Sequence, residues 1–213
     1  MTTFLIIRHG YSKSNEHGYF TGQTDVALSE LGLKQAAQTA QYLADRHKVD
    51  FLYSSPLQRA YHTALPISKL LHLPIETIED LKEINGGEWE EKTPEEILQL
   101  YKDDYTLWLN DIGVARCTGG ENMFEVQTRA ANALRELAKK HDGCTVAVTV
   151  HAGVIRALQC LWQNLPLSEM KNIPWVGNAS ISIVTCENGE FTPLSIGSIA
   201  HLTTEKTNLP KNM

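Results

Sequence analysis

Phe4-Leu5-Ile6-Ile7, followed directly by Arg8-His9-Gly10, is the most informative run in the 213-residue chain. Four consecutive apolar side chains leave no polar face, so the run reads as a strand buried on both sides, as in a parallel sheet. Open parallel sheets bind ligands beyond the carboxyl ends of their strands, and Arg8-His9-Gly10 falls at such an end. Two other strands finish in the same way. Residues 49–53 are followed by Ser54-Ser55-Pro56 and Arg59, and the β-branched run 144–150 is followed by His151-Ala152-Gly153.

Helices fill the intervals. Ser29 is placed to cap a helix running to about Arg46, with Leu31, Ala36, Ala40 and Leu43 near one face. Pro56 suits the first turn of a helix reaching about Leu71. Residues 75–81 read as extended, 94–110 and 122–141 as helical, and a further helix follows the 144–150 strand to about Trp162. Residues 181–186 and 191–196 form a closing strand pair around Asn188-Gly189. The last ten residues are polar and expected to fray. This alternation predicts an α/β three-layer sandwich: a mostly parallel central sheet, helices on both faces, and a small helical cap. One domain, 1–213, is expected, with the cap inserted at about 84–121.

Composition narrows the function. Hydrophobic residues make up 42% and charged ones 21%, enough apolar mass for a core and too little charge for a disordered chain. No apolar run approaches the ~18 residues of a membrane span. The net charge of −6 argues against a general binder of nucleic acid or of anionic membranes. No basic segment precedes the short apolar run, which Arg8 interrupts, so no secretory signal is expected and the cytoplasm is the expected compartment. Cys117, Cys144, Cys160 and Cys186 are too scattered for a disulfide framework and read as core thiols. The eight histidines show neither HExxH nor HxH spacing, and no metal is expected. The excess charge is local. Residues 84–121 hold nine acids and three bases, a difference equal to the net −6 of the whole chain. With Trp89, Tyr101, Tyr105 and Trp108 nearby, the segment reads as a cap, although a solvated helix face carries the same charge pattern.

Two histidines and two arginines at one sheet edge suit a phosphate monoester, which carries about −1.5 to −2 charge near neutral pH. Arg8 and Arg59 can grip it through charge-assisted hydrogen bonds worth about 1.5–3 kcal/mol each. A neutral imidazole is a competent nucleophile near pH 7, so His9 can attack phosphorus and carry it as phosphohistidine. His151 can donate to an equatorial oxygen as charge spreads in the transition state. The leaving oxygen needs a proton, and Glu83, after an extended segment and before Gly86 and Gly87, is placed to supply it. Of the other histidines, His17 and His62 are the candidates to neighbour the pocket.

The same residues form longer motifs: Leu5-Ile6-Ile7-Arg8-His9-Gly10, then Asn15, then Phe20-Thr21-Gly22 with Asp25, then Leu28-Ser29-Glu30-Leu31-Gly32. Further on stand Tyr53-Ser54-Ser55-Pro56-Leu57-Gln58-Arg59-Ala60, Glu83, Gly87-Glu88-Trp89-Glu90, Gly119-Gly120-Glu121 and His151-Ala152-Gly153-Val154-Ile155-Arg156. Over about 4–183 the chain resembles the histidine phosphatase superfamily, also called the phosphoglycerate mutase-like family. The resemblance implies that His9 is the phosphorylated histidine and that Arg8, Arg59 and His151 form the phosphate pocket. Asn15, Thr21 and Gly22 would line it, the Ala152 amide would add a donor, and Glu83 would be the proton donor. It implies no metal or organic cofactor, and a small phosphomonoester as the partner. Two residues depart from the family pattern: Val150 stands where serine commonly precedes the second histidine, and Glu91 where glycine commonly follows the Trp-Glu pair.

The mutase branch resembles this chain at His9 but must also hold a carboxylate. Its arginine after the acidic glutamate is replaced by Ile84, its nearby tyrosine by Gly86, and its lysine falls at Pro94; its paired cap arginines are absent. An acidic cap repels a second anion, so hydrolysis is expected, with water as phosphoryl acceptor. α-Ribazole phosphate or a broad range of metabolites are the candidate substrates. A cofactor-dependent mutase and a phosphate-binding regulatory relative without turnover are the alternatives.

Overall fold

The computed structural model describes residues 1–203, so the polar end expected to fray, 204–213, lies outside the described residues. The strands are β1 (Thr2–Arg8), β2 (Phe51–Ser54), β3 (Ile75–Thr77), β4 (Thr145–Val150), β5 (Ile181–Glu187) and β6 (Glu190–Ser198). The helices are α1 (Lys13–His17), α2 (Glu30–Arg46), α3 (Gln58–Leu71), α4 (Pro94–Leu100), α5 (Lys102–Asn110), α6 (Met123–Lys140) and α7 (Ala152–Trp162).

Alternation along β1 divides the core. Leu5 and Ile7 pack with Ala40 and Leu43 of α2 and with Ala64 and Ile67 of α3. Phe4 and Ile6 pack with Val126, Ala130 and Leu134 of α6 and with Val154 and Leu158 of α7. Because both sets are apolar, β1 has no solvent face, which is why it reads as an unbroken hydrophobic run. The sheet order is β3-β2-β4-β1-β5-β6. Its first four strands run parallel, while β5 and β6 are antiparallel to their neighbours. The expected three-layer α/β architecture is present. Trp89, Ile97, Tyr105, Trp108 and Cys117, all within 84–121, join the Phe4 and Ile6 side of the core.

Register builds the site. Arg8 pairs with Val150, and Ser54 with Thr149. The His9 N–H then donates to Val150 O and the Ser55 N–H to Thr149 O, both at 2.9 Å. The loops after β1, β2 and β4 therefore leave the sheet at one level, carrying His9, Ser55 and His151 with them.

Several local expectations are corrected. The helix after Pro56 begins only at Gln58, because Leu57 is extended (ψ 133°) and Asp25 acts as a remote cap, accepting the Gln58 N–H at 2.7 Å. The helix expected over 94–110 breaks at Tyr101, whose φ −131° and ψ 46° separate α4 from α5. Residues 75–81 are extended only to Thr77 and then turn through a 3-10 helix, Glu79–Leu81. Helix α1 was not anticipated, although Ser12 and Asn15 form a reciprocal capping box at its start. Among the described residues no helix is long and apolar enough to cross a membrane.

Candidate active site

A cavity of ≈ 110 Å³ opens at this sheet edge, several times the about 10–15 Å³ that one water needs. Arg8, His9, Asn15, Thr21, Gly22, Arg59, Glu83 and Ala152 all line it. His151 is fully buried, with its ring centre 5.3 Å from that of His9. The nine residues singled out from sequence are thus gathered from the three strand ends, the 15–22 segment and the Glu83 loop. His17 and His62 do not line the cavity.

A hydrogen bond assigns the His9 proton. His9 Nδ1 lies 2.7 Å from Gly10 O. A carbonyl only accepts, so Nδ1 carries the proton and Nε2 keeps the lone pair. His151 Nε2 lies 2.7 Å from Ser55 Oγ. That oxygen also accepts the Leu57 N–H at 3.4 Å, so the Ser55 hydroxyl ties the ring to the turn after β2. His151 Nδ1 is a buried atom with no partner among the described residues. The Val150 side chain offers no hydrogen bond here, and Ser55 holds the ring instead.

Both imidazoles are held neutral. Burial, followed by the charges of Arg59 and Arg8, pushes His9 well below the ordinary histidine range. Burial and then Arg59 do the same to His151. Unfolded histidines take up protons near pH 6.5 while these two do not, so the unfolded state binds more protons and stability declines as pH falls below about 6.5. Imidazole nitrogen NMR at pH 6 should find both rings neutral. Titration of either at or above pH 6.5 would contradict the burial.

Arg59 is fully buried, donating from Nη1 to Thr24 O (2.9 Å) and from Nη2 to Gly22 O (2.7 Å). Gly22 has φ +50°, the left-handed region that glycine enters without strain. Arg8 donates from Nη1 to Val176 O at 2.6 Å, and its buried Nε has no partner among the described residues. Among the described residues neither guanidinium forms an ion pair. Burial lowers both to about 10, with Glu83 opposing the shift, so both are cationic at neutral pH. Buried charges are costly unless matched. Two such cations, one of them with an unpaired donor at Arg8 Nε, make a strong anion site.

Glu83 faces this site from the opposite segment. Its Oε1 accepts the Ile84 N–H and its Oε2 the Gly153 N–H, both at 3.0 Å. A Cβ on Gly153 would overlap the Glu83 carboxylate, so glycine makes the approach to α7 feasible. Ala152 opens α7, where its N–H has no preceding turn to donate to. Asn15 accepts from the Ser12 N–H at 3.0 Å, so its side chain also caps α1.

Other contributors were missed from sequence. Ser55 stood inside a quoted motif, and its level with His151 follows only from the β2–β4 register. Tyr19, Phe20, Ile84, Trp108, Met123 and Trp175 form the apolar walls. Trp175 is far from every motif, and no local spacing marks it or Met123.

The family model of the histidine phosphatase superfamily (branch 1) matches residues 4–198. The chain belongs to this superfamily. Phosphoserine phosphatase 1 of Hydrogenobacter thermophilus is 33% identical over 202 residues, covering 95% of each chain. Metal-independent phosphoserine phosphatase of Arabidopsis thaliana is 33% identical over 95% of this chain and 84% of that one. Among solved structures, Bacillus stearothermophilus YhfR matches at a TM-score of 0.90 with 28% identity, over 94% of this chain and 99% of that one. The protein is a phosphatase of the histidine phosphatase type.

One departure from the pattern of histidine phosphatases has a structural consequence. Glu91, exposed and φ +63°, adopts the left-handed conformation that glycine would take, while its N–H donates to Phe20 O at 2.9 Å. A side chain there costs about 1–2 kcal/mol, against about 0.4–1 kcal/mol for the looser unfolded chain of glycine. Glu91→Gly should therefore raise the melting temperature by about 1–4 °C. Unchanged or lower stability by calorimetry would refute the strain.

Proposed function

We propose that this histidine phosphatase hydrolyses a small phosphomonoester whose leaving group is apolar or aromatic and carries no second anion. The observation that carries the proposal is the makeup of the cavity beyond Arg8 and Arg59. Its walls are Tyr19, Phe20, Ile84, Trp108, Met123 and Trp175, with no third cation among the lining residues. The acidic excess of 84–121, proposed here as the cap of a single domain, points the same way. α-Ribazole phosphate and a broad set of aryl or apolar phosphate esters fit this description. Phosphoserine, the substrate named for the relatives, carries a carboxylate that these walls do not match.

The chemistry proposed uses the groups already located. Arg8, Arg59, His151 and the Ala152 N–H hold the phosphoryl oxygens, with Asn15, Thr21 and Gly22 around them. His9 Nε2 gives its lone pair to phosphorus as the bond to the leaving oxygen breaks, and Glu83 passes a proton to that oxygen. Water then attacks phosphorus, Glu83 takes its proton, the P–N bond breaks, and inorganic phosphate leaves with His9 restored. Ile84 in the wall disfavours the mutase alternative, which must bind a carboxylate there.

Burying an aromatic leaving group against these walls gains about 1.5–3 kcal/mol, or about 10- to 100-fold in kcat/KM. Naphthyl phosphate should therefore exceed phosphoserine and 3-phosphoglycerate by at least about tenfold. A preference for phosphoserine would overturn the proposed leaving-group class.

A further inference from the structure

We infer that Arg129, paired with Glu121, is a positioning residue that sets the place of the Glu83 proton donor; the inference rests on Glu83 having that role. Residues 83–86 belong to no helix or strand, so no regular backbone ladder fixes them. Arg129, on α6, does not line the cavity. Its Nε and Nη2 donate to Glu121 Oε1 and Oε2, both at 2.9 Å. Its Nη1 donates to Asp80 O at 2.7 Å and Lys82 O at 2.6 Å, and its Nη2 also donates to Glu83 O at 3.0 Å. A guanidinium has five N–H bonds in a fixed plane, and every one of these is engaged. Glu121 continues the clamp beyond the acid: its Oε2 accepts the Asn85 N–H at 2.8 Å, and its own N–H donates to Asn85 O at 2.9 Å.

The backbone is thus pinned at 80, 82, 83 and 85, on both sides of Glu83. The ion pair is partly buried, with side chains 16% and 22% exposed, and its rigid bidentate geometry fixes the backbone relative to α6. Gln23 Nε2 adds a donor to Glu83 O at 3.0 Å, so the carbonyl is held from two directions. A displacement of about 1 Å in a catalytic group costs about 100-fold. Loosening this clamp should therefore disable proton delivery and leave phosphate binding in place. An ordinary structural ion pair would instead lower activity on every substrate alike.

The test compares kcat/KM, which reports phosphoenzyme formation, for phenyl phosphate and p-nitrophenyl phosphate. Phenolate is the poorer leaving group and needs the proton more. Arg129→Gln, Glu83→Gln and the double variant are measured, with melting temperatures as a folding control. Arg129→Gln should lose about 10- to 100-fold on phenyl phosphate and several-fold less on p-nitrophenyl phosphate. The double variant should match Glu83→Gln alone, because Arg129 acts through that carboxyl group. Arg129→Lys should restore part of the phenyl phosphate rate. If Arg129→Gln does not fold, Glu121→Gln, which keeps the shape of the pair and removes its charge, should show the same selective loss in milder form. Equal losses on both esters, or losses that multiply in the double variant, would overturn the clamp while leaving Glu83 as the donor. Absence of selectivity in Glu83→Gln itself would overturn the donor, and the clamp with it.

Discussion

His9→Ala should lower kcat/KM for phenyl phosphate by at least about 1000-fold while changing the affinity for inorganic phosphate by less than about tenfold. The separation follows from the division of labour in the cavity. His9 is held with Nε2 unprotonated, since its Nδ1 is engaged by Gly10 O. His151 is committed differently: it is fully buried, and its Nε2 is engaged by Ser55 Oγ at 2.7 Å. The proposed anion site of Arg8, Arg59 and His151 is left untouched by the substitution. Steady-state kinetics and calorimetric titration with phosphate read the two quantities independently. Loss of both together would mean that His9 helps hold the anion and is not a dedicated nucleophile.

Arg59→Met should reduce kcat/KM by about 100- to 10,000-fold, from two charge-assisted hydrogen bonds at about 1.5–3 kcal/mol each and about 1.36 kcal/mol per decade of rate. Methionine fills much of the volume, so the loss is chiefly of charge and donors. Arg59→Lys should recover little. Arg59 holds two loop carbonyls, Gly22 O and Thr24 O, with its two terminal nitrogens while keeping other N–H bonds for the anion. An ammonium on a flexible stem cannot span that geometry. The kinetic comparison of the two variants, with melting temperatures in parallel, checks this. Near-complete rescue by lysine would show that charge alone is needed.

The sheet was legible because β1 and β4 are apolar without interruption, and because their ends carry the charged and imidazole groups. Helix α2 was legible because Ser29 caps it, accepting the Gly32 N–H. The start of α3 was not, since its cap is Asp25, distant in sequence. The break at Tyr101 was hidden because both halves of 94–110 have helical composition. The site residues lay in motifs, so their positions could be named. What the motifs could not convey was orientation: which nitrogen of His9 faces Gly10, or that Ser55 turns His151. Arg129 was invisible for a different reason. Three of its partners are backbone carbonyls, and a carbonyl leaves no trace in residue identity.

The phosphoenzyme is the most direct point of decision. Labelled phenyl phosphate is mixed with the enzyme, quenched in alkali where phosphohistidine survives, and the digested peptides are analysed by mass spectrometry. The label should appear on His9, in substoichiometric burst with phenol release. Label on another residue, or turnover with no labelled peptide at any quench time, would contradict a nucleophilic His9.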